Sequence, residues 1–302
     1  MSNKPLELAD TSDGAVTHAV YNQVKKEIEA AGIDTYITRA SSAGKCSRQL
    51  WYKRNGAKPD KAMEPRTRHL FRSGHISEIV LLNDLLESAV GPGRPWAELN
   101  CGEIDSVIEI GGVEYKTFKQ LEWSFTLPNG EVVTGHPDAV AKLHNGEYEL
   151  IDAKTFSNFG FMRFEKKETP AIEAVEDYKF QAHALMNCDE ARDLNIKRFR
   201  FVGIKKDTSH MADRLIDLDS GVLDVVIRRY MEALSEKKPE RTHSPENEMT
   251  GRSPNKRPTG RKVLGWRCSY CPYADQCWGK LTVEFKSGRP IYIVEKETKN
   301  AI

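Results

Sequence analysis

Gly135-His136-Pro137-Asp138 and Tyr148-Glu149-Leu150-Ile151-Asp152-Ala153-Lys154 are the stretches that decide how this chain is read. In a strand, side chains alternate between faces. Asp152 and Lys154 therefore project together, while Ile151 and Ala153 point the other way into packing. An acid-x-Lys pattern alone says little. It occurs at seven places, including Glu114-Tyr115-Lys116 and Glu165-Lys166-Lys167, and the plain reading of any one is an ion pair at a strand end. Two features single out Asp152. Its strand is flanked by apolar residues, and Asp138 stands at the end of the preceding strand, behind a Gly-Pro turn. A hairpin through Asn145-Gly146 brings the two aspartates near each other. Adjacent carboxylates repel unless a cation binds between them, and hard oxygen ligands favour Mg²⁺ or Mn²⁺.

Outward from this pair, the spacing of Val16, Val20, Val24 and Ile28 predicts a helix over 15–33. A short helix holds Cys46, Leu50 and Trp51. A longer one covers 67–90 and ends at Gly91-Pro92-Gly93. On that helix Phe71, Gly74, Glu78, Leu82 and Leu85 share a stripe. Glu78 interrupts its apolar face, and a buried carboxylate needs a partner. Strands are expected at 104–110, 113–118, 121–127, 132–141 and 148–155, with turns at Gly111-Gly112, Pro128-Asn129-Gly130 and Asn145-Gly146. A helix over 171–188, strands at 197–204 and 214–218 and a helix over 220–236 follow. Residues 237–262, with four prolines and few apolar side chains, read as a linker. A hairpin around Ser287-Gly288 closes the chain. This order is α/β, a mixed central sheet flanked by helices.

The 302 residues are 39% hydrophobic, enough for a real core. A net charge of +1 leaves any nucleic-acid contact to local basic patches. Met1 to Ser12 is polar and acidic, unlike a signal peptide, and no apolar run spans a membrane. A soluble, cytoplasmic protein is expected.

In such a chain, clustered cysteines point to metal rather than disulfides. Cys268-x2-Cys271-x5-Cys277 supplies three thiolates. Cys46, at a basic helix start that favours thiolate, is the best fourth. Zinc ribbons pair two Cys-x-x-Cys knuckles. One distant cysteine with three clustered ones suits a four-thiolate cuboidal cluster instead, with zinc as the alternative. Cys101 and Cys188 read as buried small hydrophobes.

Gly-x-x-Asp followed by a strand ending in Asp-x-Lys, with an acid on an upstream helix, resembles the PD-(D/E)XK nucleases of the RecB type. The cysteine spacing is similar to their iron–sulfur subset, which includes the AddB nuclease domain and the CRISPR-associated RecB-like exonucleases. Together the two resemblances span about residues 44–280. They imply a restriction-endonuclease-like core whose N- and C-terminal segments are joined by a 4Fe-4S clasp on Cys46, Cys268, Cys271 and Cys277. Asp138 and Asp152 would hold Mg²⁺ or Mn²⁺ with the Ala153 carbonyl, and Lys154 would orient the attacking water. Where the family carries Gly-x-x-x-His, this chain has Gly74-His75-Ile76-Ser77-Glu78, so Glu78 takes the ligand position and His75 is the rival. Where it carries Gln-x-x-x-Tyr, Gln181 is followed by Leu185, and Tyr178 lies one turn earlier.

The expected organisation is a helical segment over 1–43, a nuclease domain over 44–281 and a terminal hairpin and tail over 282–302. The expected function is trimming of DNA ends, possibly phage-encoded, in recombination, replication or DNA degradation. The alternatives are a non-catalytic DNA-end-binding factor with the same fold and a zinc-ribbon interaction protein. The basic residues among 45–72, interleaved with Trp51 and Tyr52, are candidates for a single-strand groove. Those of the linker, Arg252 to Lys262, are a second candidate patch.

Overall fold

The structure, a computed structural model, describes residues 15–61, 63–90, 96–166, 173–251, 255–279, 281–286 and 289–294. The polar N-terminus, the stop at 91–93, Arg252 and the turn at 287–288 lie outside them. The longer helices are α1 (Ala15–Ala30), α2 (Ser47–Arg54), α3 (Pro65–Val90), α4 (Asn158–Glu165), α5 (Glu173–Met186) and α7 (Ser220–Leu234). Short helices are α6 (Asp189–Asp193), α8 (Trp266–Ser269) and α9 (Ala274–Trp278). Strands β1 to β5 are Ala97–Asn100, Ile104–Ile110, Val113–Phe118, Trp123–Thr126 and Val132–Gly135. Strands β6 to β9 are Ala139–Leu143, Tyr148–Phe156, Arg198–Lys205 and Met211–Asp217. Strands β10 to β13 are Glu246–Thr250, Arg257–Val263, Leu281–Lys286 and Arg289–Val294.

The central sheet has five strands in the order β1-β6-β7-β8-β9. Only β7 and β8 run parallel, joined by a crossover through α4, α5 and α6, as a parallel pair requires. Alternation along the strands feeds two cores. On one face Val140, Leu150, Phe156, Phe199 and Phe201 pack with Phe180, Ala184 and Leu185 of α5 and with Val226 and Tyr230 of α7. On the other, Ala139, Ala141, Ile151, Ala153 and Val202 pack against Leu81, with Leu82 and Leu85 beside it, on α3. Each large apolar side chain so buried contributes about 1.5–3 kcal/mol. The sum holds helices on both faces and sets which helix can reach the sheet's end. Asn83 locks α3 further. Its amide donates to the Lys116 carbonyl at 2.9 Å and its carbonyl oxygen accepts from the Lys116 N–H at 2.9 Å, which ties α3 to the β2–β3 hairpin.

The layered α/β arrangement expected from the sequence is present, with several differences. The single strand expected over 132–141 is two, β5 and β6, interrupted at His136-Pro137-Asp138. Proline has no N–H for the ladder, so Asp138 precedes β6 rather than ending a strand. The β4–β5 and β2–β3 pairs stand apart from the central sheet. Strand β1 and helix α4 were not expected. Residues 237–262 are no mere linker, because β10 and β11 lie there and form a four-stranded sheet with β12 and β13 in the order β10-β11-β13-β12. Buried Glu248 holds that sheet together, accepting from Arg261 at 2.7 Å and from Thr259 at 2.6 Å. No helix among the described residues is long and apolar enough to cross a membrane.

Candidate functional site

Strand β6 stops pairing with β7 at Ala139↔Ile151, while β7 continues to Phe156 with β8 alongside. The second half of β7 therefore has one open edge. Asp138 fills it: its Oδ2 accepts the Ala153 N–H at 2.7 Å, in place of a ladder partner. In a strand a residue's N–H and carbonyl point to the same side, so the Ala153 carbonyl faces this gap too. Asp152 is buried and ion-paired to Lys154. From the opposite face α5 brings Gln181, whose Nε2 donates to Asp152 Oδ1 at 3.2 Å. Tyr178, one turn earlier, sets its ring 5.5 Å from Lys154 Nζ.

The electrostatics follow from burial. Burial drives Asp138 well above the usual carboxylate range and Asp152 adds to this; Lys154 and the Ala153 N–H oppose it. Burial raises Asp152 as well, against Lys154. For Lys154 burial acts downward, but Asp152 and Asp138 outweigh it and hold the ammonium above its ordinary value. Two buried carboxylates thus share one buried cation. This is an anionic pocket built of hard oxygens with one ammonium at its edge.

Glu78 reaches the same field. Gly74 lets α3 approach β7, since a Cβ there would lie 3.3 Å from Thr155 Oγ1. One turn on, Glu78 is raised first by burial, with Lys154 lowering it and Asp152 raising it. His75 lies on the outside, its side chain 74% exposed, with Nδ1 3.6 Å from Glu78 Oε2. Phe71, expected on the packed stripe, is 58% exposed. Among the described residues no three His, Cys, Asp or Glu side chains converge tightly enough to hold one metal ion. Asp152 is taken up by Lys154 and Asp138 by Ala153. The donor types fit a hard divalent cation all the same: buried carboxylates whose neutralisation is incomplete.

The cysteines gather elsewhere. Cys46, Cys268, Cys271 and Cys277 line one cavity of about 100 Å³ with Trp266, Tyr270, Tyr273 and Trp278. Cys46 is the cap of α2, its Sγ accepting the Gln49 N–H at 3.3 Å. Burial raises Cys268 to about 11 and Cys271 to about 12, each with further raising from the other thiols. The two walls of the cavity are bound together. Tyr52 Oη donates to the Gln276 carbonyl at 2.9 Å and its ring stacks on Tyr273 at 5.5 Å. Asp60 Oδ2 accepts the Asp275 N–H at 2.7 Å. Cys101 and Cys188 are buried away from it.

Part of the basic-aromatic stretch of α2 is engaged in the fold. Tyr52 is buried, Lys53 pairs with Asp34 at 2.9 Å, and Arg54 donates to the Leu234 carbonyl at 2.5 Å. In the former linker, Arg261 is committed to Glu248 and Glu284. Arg66 and Arg68 on α3 remain exposed. Sequence reasoning missed Asp177, which lies 2.8 Å from Arg267 and 3.7 Å from Lys45. A cation immediately before a cysteine, twice over, was the available signal.

The chain matches no family model and no curated protein. Among solved structures it aligns with that of SSO0001 at 16% identity and TM-score 0.39, over 88% of this chain and 98% of that one. It aligns with an alkaline exonuclease, LHK-Exo, from Laribacter hongkongensis at 16% identity and TM-score 0.39, over 69% of this chain and 90% of that one. The same exonuclease in complex with dAMP aligns at 14% identity and TM-score 0.34. At these scores none of the three alignments assigns a fold or an activity to this chain.

Proposed function

We propose that this chain is a divalent-metal-dependent deoxyribonuclease that hydrolyses phosphodiester bonds at DNA ends. The observation that supports it is the assembly of Asp138, Asp152 and Lys154 at the open edge of β7, with Gln181 on Asp152. Mg²⁺ or Mn²⁺ bound by Asp138, Asp152, Glu78 and the Ala153 carbonyl would supply Lewis-acid stabilisation of the phosphoryl oxygens. The chain's own residues do the rest. Gln181 fixes the Asp152 carboxylate. Lys154, held beside Asp152, would orient the attacking water and offset the charge developing on the phosphate. Tyr178 walls the ammonium in on the α5 side.

The four cysteines are proposed to hold a 4Fe-4S cluster. Zinc on the same four thiols is the alternative, but zinc ribbons pair two Cys-x-x-Cys knuckles, whereas here one distant cysteine joins three clustered ones. A cuboidal cluster holds its thiolates at separate corners, and four thiols around a shared cavity suit that.

The test is cleavage of end-labelled linear and covalently closed circular DNA with Mg²⁺ or Mn²⁺. Linear substrate should be consumed and circular substrate spared. Asp152→Ala and Lys154→Ala should each cut the rate on the order of a hundredfold or more while DNA binding persists. Full cleavage by both variants would falsify the site. Binding to ends with no cleavage by the wild type, under any divalent metal, would favour a non-catalytic end-binding factor.

A further inference from the structure

We infer that Asp177 is a positioning residue that registers the catalytic face of α5 to the cysteine cavity, so that order in the cysteine-bearing segments sets turnover. Its effect on turnover rests on the nuclease reading above; its effect on the helix does not.

Asp177 sits between the two chain segments that carry the cysteines. Its Oδ1 is 2.8 Å from Arg267 Nη2, and Arg267 immediately precedes Cys268. Its Oδ2 is 3.7 Å from Lys45 Nζ, and Lys45 immediately precedes Cys46. The Asp177 and Arg267 side chains are only 22% and 15% exposed, so this pair is screened far less than a surface ion pair. Backbone packing adds to the grip. A Cβ on Gly44 would stand 2.7 Å from the Asp177 Cα, so the Gly44–Cys46 segment lies directly on the helix. Arg229 of α7 fixes that segment from below. Its Nη1 donates to the Ala43 carbonyl at 3.2 Å, and its guanidinium lies 3.9 Å from the centre of the Phe180 ring on α5.

The catalytic contacts start one residue later. Tyr178 faces Lys154, and Gln181, one turn on, donates to Asp152. A helix is stiff over one turn, so a displacement at Asp177 passes to Tyr178 and Gln181 nearly undiminished. Misplacement of a catalytic contact by about 1 Å can cost on the order of a hundredfold in rate. The cysteine-bearing segments thereby hold the register of the helix that orients Asp152.

A purely stabilising ion pair would leave turnover of the folded protein unchanged. The full chain and its Asp177→Asn, Asp177→Glu, Arg267→Gln and Lys45→Gln variants separate the two readings. Amide hydrogen exchange over 178–186 is measured without substrate, and kcat and KM are measured on linear DNA with Mg²⁺. Asp177→Asn should speed exchange over 178–181 about tenfold while the β7 and β8 amides stay protected. It should lower kcat about tenfold with KM within about twofold. Asp177→Glu should recover most of both. Arg267→Gln should act in the same direction, and the Asp177→Asn/Arg267→Gln double variant should be no worse than the more impaired single, as expected of two partners in one contact. Unchanged exchange over 178–186 in both Asp177→Asn and Arg267→Gln overturns the inference, whether or not the chain cuts DNA. Faster exchange with unchanged kcat overturns its claim on turnover. A wild type that cuts no DNA removes the nuclease reading and leaves the exchange result to decide the positioning role alone.

Discussion

Asp152 is legible in the sequence because strand alternation decides which neighbours share its face. Ile151 and Ala153 enter the α3 core, and Asp152 and Lys154 pair on the other side. Asp138 is nearly as legible, since the Gly-Pro break before it stops the ladder and leaves its carboxylate to cap Ala153. Helical register brings Glu78 to these groups and leaves His75 in solvent. We therefore expect Glu78→Gln to raise the Mg²⁺ concentration for half-maximal cleavage about tenfold, and His75→Gln to change it less than about twofold. A metal titration of both variants checks this, and the reverse ranking would make His75 the ligand. For Asp177 the sequence offered only an indirect hint, the cation immediately before each of Cys46 and Cys268. Its significance depends on Gly44, Lys45 and Arg267 arriving beside it from distant parts of the chain, and no local pattern encodes that meeting.

The elements hold together through polar contacts that hydrophobic periodicity does not announce. Strands β10 and β11 escaped notice because Glu-Asn-Glu-Met-Thr has no apolar alternation; charge pairing on Glu248 replaces it. Between α5 and α7 the joint is His183, fully buried. Its Nδ1 is 2.7 Å from the Lys179 carbonyl, and its Nε2 accepts the Asp219 N–H at 3.0 Å, which assigns the proton to Nδ1. Burial lowers its proton affinity, as does the Lys179 ammonium, while the Lys179 carbonyl and Asp219 oppose this. Protonating Nε2 would break the bond to Asp219 at the start of α7. The unfolded chain takes up this proton first, near the ordinary histidine value of about 6.5. The histidine's contribution is thus complete above that value and is lost as pH falls toward the lower folded value. Thermal unfolding between pH 7.5 and 5.5 should show an acid-side loss of stability that His183→Gln lacks. Identical pH slopes in the two proteins would remove His183 from this role.

Across the molecule, the cysteine cavity closes the chain on itself, because Cys46 belongs to the N-terminal part and its three companions to the C-terminal sheet module. Cys46→Ser should abolish visible iron–sulfur absorbance and lower the thermal midpoint by about 5 °C or more. Cys101→Ser and Cys188→Ser should keep the absorbance, since both lie in apolar packing. Protein prepared without oxygen that carries stoichiometric zinc and no iron would rule the cluster out. The spacing of the three late cysteines announced this closure; the four-stranded sheet that carries it was hidden in charged sequence. Translation gives the closure a temporal meaning. The ribosome releases Asp138, Asp152, Lys154 and all of α5 well before Arg267 emerges. A nascent or prematurely terminated chain thus holds every proposed catalytic side chain but lacks the cation that pairs with Asp177 on α5. On the nuclease reading, such a fragment should turn over DNA more slowly than the full chain, in the same direction as Arg267→Gln.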